Sequence, residues 1–82
     1  MYEKITTAQA VRILLDEGYV CEICFHHCKT RKYTVHRRLD FGDVNKITPK
    51  QFEELACANL IECTSTRPDK FGNTYNYYEF VR

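Results

Sequence analysis

The sequence has no long apolar run and no excess of charge of either sign. Its apolar stretches are short, as at Ile13-Leu14-Leu15, so none can span a bilayer. The chain runs Met1-Tyr2-Glu3-Lys4 without the apolar stretch of a secretory leader. Twelve basic against eleven acidic residues leave a formal charge of +1. That balance excludes a strongly basic nucleic-acid coat and equally an acidic imitation of DNA. Also missing are the Gly-rich phosphate loop, the strand-to-helix serine elbow and the H-E-x-x-H helix. Asp16-Glu17 and Glu53-Glu54 are neighbouring surface acids rather than a catalytic acid and base, and Glu22 is the one carboxylate near His36. The expectation is a protein that is not an enzyme.

What is present is the composition of a folded chain. Eighty-two residues, 44% apolar and 13% aromatic, make one domain over residues 1–82, with a core modest enough to profit from a partner or a metal. Five cysteines, an odd number in a chain without a leader, fit reduced thiols in a cytoplasmic, intracellular setting better than a disulfide framework. Positive charge is uneven. Residues 1–41 hold seven basic and five acidic groups, against five and six in the remainder, so any basic patch is local.

An internal repeat organises the sequence. Ile5-Thr6-Thr7-Ala8-Gln9-Ala10 aligns with Ile47-Thr48-Pro49-Lys50-Gln51-Phe52. Thr6 and Thr48 each stand where a hydroxyl caps a helix, with Gln9 and Gln51 three residues on to return the bond. Pro49 sits where its missing N–H costs nothing. Helices are predicted over about 7–17 and 49–58, closed by Gly18 and Asn59 in the left-handed conformation. Ala10, Val11, Leu14 and Leu15 face the core from the first, with Ile13 at the margin, and Phe52, Leu55 and Ala56 from the second.

Each helix is followed by two extended segments, Tyr19 to Phe25 and Tyr33 to Leu39, then Leu60 to Thr66 and Thr74 to Val81. The turn formers between Arg67 and Asn73 join the second pair, and Leu39 to Lys46 reads as a linking loop. The predicted fold class is α+β, a duplicated αββ unit (αββαββ) with copies at about 5–39 and 47–81. Its two helices would cover antiparallel hairpins or a four-stranded sheet.

Three groups of residues carry candidate chemistry. Cys21, Cys24, His26, His27 and Cys28, with His36 on the next strand, offer thiolate and imidazole ligands, a subset of which suits a tetrahedral zinc. A continuous strand would turn Cys21 inward and Cys24 outward, so the pair shares a metal only if the strand ends early. Otherwise the thiols serve as small buried hydrophobes and no cofactor is bound. Lys29, Arg31, Lys32, Arg37 and Arg38 concentrate charge on the first hairpin, where Tyr33 adds a ring, as a phosphate-following ribbon for DNA or RNA requires. An acidic protein or plain solvation would suit the same charges. Tyr75, Tyr77 and Tyr78 make the last strand too aromatic to hide entirely, as in a protein-binding or homodimer face.

Residues 48–81, through Leu60-Ile61-Glu62, Arg67, Gly72 and Tyr78, resemble the last helix and wing of a winged-helix domain. A whole winged helix needs three helices, whereas here a strand and a loop precede this one. The favoured expectation is a small non-enzymatic nucleic-acid-binding accessory or regulatory protein, of the kind bacteriophages and mobile elements carry. The alternatives are a protein-binding inhibitor or adaptor and a zinc-stabilised interaction domain, and no membrane association is expected.

Overall fold

The computed structural model describes residues 2–38 and 44–81. Its elements are β1 (Tyr2–Lys4), α1 (Thr7–Leu15), β2 (Tyr19–Cys24), β3 (Arg31–His36), β4 (Val44–Ile47), α2 (Pro49–Cys57), β5 (Ile61–Pro68) and β6 (Thr74–Phe80).

Both helices start as their sequences dictate. Gln9 N donates to Thr6 Oγ1 at 3.1 Å while Thr6 N donates to Gln9 Oε1 at 2.9 Å, and Gln51 and Thr48 repeat the exchange at 3.1 and 2.8 Å. Each such cap stabilises its helix by about 0.5–2 kcal/mol. The ends also match. Gly18 N donates to Ile13 O and Leu60 N to Leu55 O, the five-residue reach that follows one left-handed residue. In α2 that residue is Asn59 (φ 56°), as expected, but in α1 it is Glu17 (φ 62°) rather than Gly18. Gly18 is needed for a different reason: a Cβ there would run into the Ile13 carbonyl and would meet the His36 carbonyl at 2.7 Å.

The strands form one six-stranded mixed sheet in the order β1-β4-β3-β2-β6-β5, with β1 and β4 parallel and every other neighbour antiparallel. This corrects the expectation of four strands. Residues 44–46, read as the end of a loop, form β4 together with Ile47, held against β3 through Tyr33↔Ile47 and Val35↔Asn45. The rest of that predicted loop, Leu39 to Asp43, lies outside the described residues. The β5-β6 hairpin does not stand free: β6 pairs with β2 from Thr74 to Glu79 and so belongs to the sheet.

Both helices lie on one face. Ala10, Ile13 and Leu14 of α1 and Leu55 of α2 share a core with Val20, Tyr33, Val35, Ile47 and Ile61, and Phe52 is stacked on Tyr33 at 4.3 Å and edge-on to Tyr78 at 4.9 Å. Ile13 is buried and Leu15, the last residue of α1, is 56% exposed, the reverse of the predicted margin. The element order reads β-α-β-β twice, yet the two halves take unequal places: β2 and β3 are interior while β5 is an edge, and β4 is interior while β1 is an edge. The likeness of the two halves is confined to the helix ends and the element order, and the sheet does not bear out a duplicated αββ unit. Among the described residues no helix is long and apolar enough to cross a membrane.

Candidate functional site

The other face of the sheet carries no helix among the described residues, and cross-strand register fixes what it displays. Residues paired across neighbouring strands point the same way, so three rows can be read from the ladder. Nearest the two hairpin turns is Lys32–Ile23–Tyr75–Arg67. The middle row is Lys4–Lys46–Thr34–Cys21–Tyr77–Ser65 and crosses all six strands. The third is His36–Tyr19–Glu79–Glu62. The first two rows carry cations and no acid; both acids of this face stand in the third.

Rings lean on one another across the middle of this face. Tyr19 stacks on His36 with centroids 5.0 Å apart and meets Tyr77 edge-on at 5.9 Å. His36 is further fixed by a 2.8 Å bond between its Nε2 and Thr34 Oγ1. Along β2 a groove of about 260 Å³ runs over Cys21 and Ile23, closed at one end by Tyr19 and His36 and walled by Tyr75 and Tyr77. Burial pushes the Cys21 thiol up, so the floor of the groove is a neutral thiol rather than a nucleophile. Desolvation, with Cys21 as a secondary cause, likewise raises Tyr19 and Tyr77 and keeps their hydroxyls protonated.

The turns that border the first row support each other. Asp69 accepts from Phe71 N at 2.8 Å, Asn73 N at 2.9 Å and Asn73 Nδ2 at 3.1 Å, and His26 N in turn donates to Asn73 Oδ1 at 3.1 Å. Desolvation works against the Asp69 carboxylate, but the amides of Phe71 and Asn73 more than offset it and hold its pKa below the ordinary value. Lys29 and Lys70 are exposed on these two turns, and the Phe71 ring is 74% exposed.

Behind the groove floor, on the helix side, Glu22 is 3% exposed. Asn76 Nδ2 donates to its Oε1 at 2.9 Å, Tyr78 Oη does so at 3.3 Å, and Arg31 Nη1 lies 3.6 Å from Oε2. Thr66 Oγ1 donates to Asn76 Oδ1 at 2.9 Å, so one polar network joins β3, β2, β6 and β5. Burial first, and the Glu22 charge second, push the Tyr78 hydroxyl up to about 12.

The residues singled out from sequence are therefore divided. Lys29, Arg31 and Lys32 gather at the turn end, but Arg37 and Arg38 follow the opposite end of β3, where Arg38 Nη1 donates to Glu17 Oε2 at 2.8 Å. Tyr33 is buried against Phe52 and presents no ring to solvent. Tyr75 and Tyr77 are on the open face, whereas Tyr78 points to the helix side. Cys21 and Cys24 lie on opposite faces of β2, and the assignment of sides corrects the expectation. Cys21 faces away from the helices and is buried under its neighbours on the open face, while Cys24 is beside Glu22 and Asn76. His26, His27 and Cys28 are in the exposed turn, and His36 is at the far end of the sheet. Among the described residues no three Cys, His, Asp or Glu side chains converge as a metal group, and all five cysteines are free.

Lys4, Lys46, Arg67, Tyr19 and Ile23 were not singled out as site residues, since only the strand order brings them to one surface. Compared with protein-family models, with curated proteins and with solved structures, the chain has no match.

Proposed function

We propose that the chain is a small non-enzymatic nucleic-acid-binding protein with an accessory or regulatory role, and that it contacts phosphates from the open face of its sheet. The observation that carries this reading is the segregation of charge. Lys4, Lys46, Lys32 and Arg67 occupy the two rows without acids, and Lys29 and Lys70 extend the positive border onto the turns. Cations spread over the breadth of a sheet can follow a backbone, whereas a single cluster on a hairpin tip touches it at one point. On this reading the scaffold is an internally duplicated unit whose copies have diverged in the sheet, working in a reducing intracellular setting.

Fluorescence anisotropy with labelled DNA and RNA across a salt series tests the reading. Phosphate contacts release counterions, so affinity should fall steeply with salt, and Lys46→Ala or Arg67→Ala should each lower the slope of log K against log salt by about 0.7–0.9. Absence of binding to any nucleic acid at low salt would reject it. A protein partner on the same face is the second reading, favoured by the half-buried Tyr75 and Tyr77 and by the Glu62–Glu79 row. It predicts a complex that salt changes little.

A further inference from the structure

We infer that the groove over Cys21 and Ile23 is a nucleobase slot, and that the nucleic acid bound by this face is single-stranded. The inference rests on the phosphate-binding reading above and adds to it the form of the ligand. Three observations lead to it.

The first is the shape and chemistry of the groove. Its floor is uncharged, Tyr75 and Tyr77 make one wall, and Thr34 and His36 border the other. It has about 260 Å³ of space, enough for a flat ring system to lie against Tyr75 or Tyr77. Every base has a π-face, so a slot of this kind favours stacking without demanding one sequence. Tyr19 is already committed to His36 and Tyr77, which makes the end of the slot a fixed stop.

The second is where charge stands relative to the rings. Lys46 and Tyr77 share the middle row, and Tyr75 sits between Lys32 and Arg67 in the row beside it. A strand whose base enters the slot would therefore have its phosphates over cations on both sides of the rings. That alternation of ring and cation complements a single strand with its bases turned toward the protein.

The third is what a sheet face cannot do. Reading a duplex requires an element that enters a groove, because the bases are stacked inside. The rings here stand on a broad six-stranded sheet and do not project as a ribbon. Duplex phosphates could touch the cations, but paired bases could not reach Tyr75 or Tyr77.

The test is competition between a mixed-sequence single strand and its own duplex, in both DNA and RNA, for the full chain and for variants. The single strand should bind at least tenfold tighter. Tyr75→Ala and Tyr77→Ala should each weaken it roughly 5- to 150-fold with the salt slope unchanged, while Tyr75→Phe and Tyr77→Phe keep most of the affinity. Stacking should also quench tyrosine emission in proportion to occupancy. Equal affinity for duplex, with no effect of the alanine variants, would overturn the slot while leaving the phosphate reading standing. Failure to bind either form would overturn both. All variants lie on the uncovered face, and an unchanged melting temperature separates loss of binding from loss of fold.

Discussion

Replacing Glu22 by Ala should remove a large part of the stability of this domain. The carboxylate is 3% exposed, and Oε1 is the acceptor for both Asn76 Nδ2 and Tyr78 Oη. Truncation leaves these two half-buried donors without that acceptor, at about 1–2 kcal/mol each, and opens a void beneath the groove floor. Arg31 contributes less. Its guanidinium is 3.6 Å away and 64% exposed, so water replaces the carboxylate once the pair is broken, and the ion pair is worth about 1 kcal/mol or less. The two lost hydrogen bonds and the void make the expected loss for Glu22→Ala about 2–5 kcal/mol, against a total of roughly 4–12 kcal/mol for a chain of this length. Glu22→Gln keeps the acceptor toward Asn76 and Tyr78 but can turn an amide toward Arg31, and should cost about 1 kcal/mol. Urea unfolding at neutral pH, followed by far-ultraviolet circular dichroism, measures both. A Glu22→Ala midpoint within about 0.5 kcal/mol of the parent would refute the view that this network ties the central strands together.

Gly18→Ala should destabilise by about 1–3 kcal/mol, since its Cβ meets two backbone carbonyls that flexible side chains cannot relieve; a neutral effect on the melting temperature would show that α1 and β3 can part there. The raised pKa of Tyr78, about 12, favours the neutral hydroxyl in the folded state, so its contribution is complete below the ordinary value of 10.0 and is lost as pH rises from there toward 12. Unfolding midpoints from pH 8 to 12 should therefore fall, and fall less in Tyr78→Phe. Chelation should leave the melting temperature unchanged, because Cys21 and Cys24 face opposite sides of β2 and His36 is stacked on Tyr19. A metal content near one equivalent per chain, with a melting temperature that falls on chelation, would show that the exposed turn of His26, His27 and Cys28 gathers a metal without Cys21 or His36.

Local signals were legible and the sidedness of the sheet was not. Thr6 with Gln9 and Thr48 with Gln51 specify helix starts within four residues, and both form as written. Alternation likewise groups Tyr75 with Tyr77, and Asn76 with Tyr78, whatever the sheet does around them. It does not say which group the helices cover. Cys21 was assigned to the core side for that reason, although Val20 and Glu22 hold it. β1 has three residues and β4 four, too short to show a period, and β4 contains Asn45 and Lys46. Without β4 the central hairpin has no neighbour on that side, so Lys46 and Lys4 had no surface to belong to. Gly18 and Glu17 show the same limit at one position, since glycine was required for a close approach that only the folded chain contains.

Among the described residues both helices pack on the same side of the sheet. Six strands make a sheet about 24–29 Å wide, and two nine-residue helices, each about 14 Å long and packed 8–10 Å apart, cover one side of it. Among the described residues none packs as a second layer on the other side. A face meant for water alone is served by alternating polar residues. This one instead places Tyr19, Tyr75, Tyr77 and Ile23 together, the aromatic surface on which the proposed binding face rests. The neighbours of those rings separate the classes of partner. Protein interfaces are depleted of lysine near their cores, yet Lys46 shares a row with Tyr77, and Lys32 and Arg67 flank Ile23 and Tyr75. Rings set among cations, with Glu62 and Glu79 confined to the far row, complement a ligand whose aromatic parts are joined by negative charge.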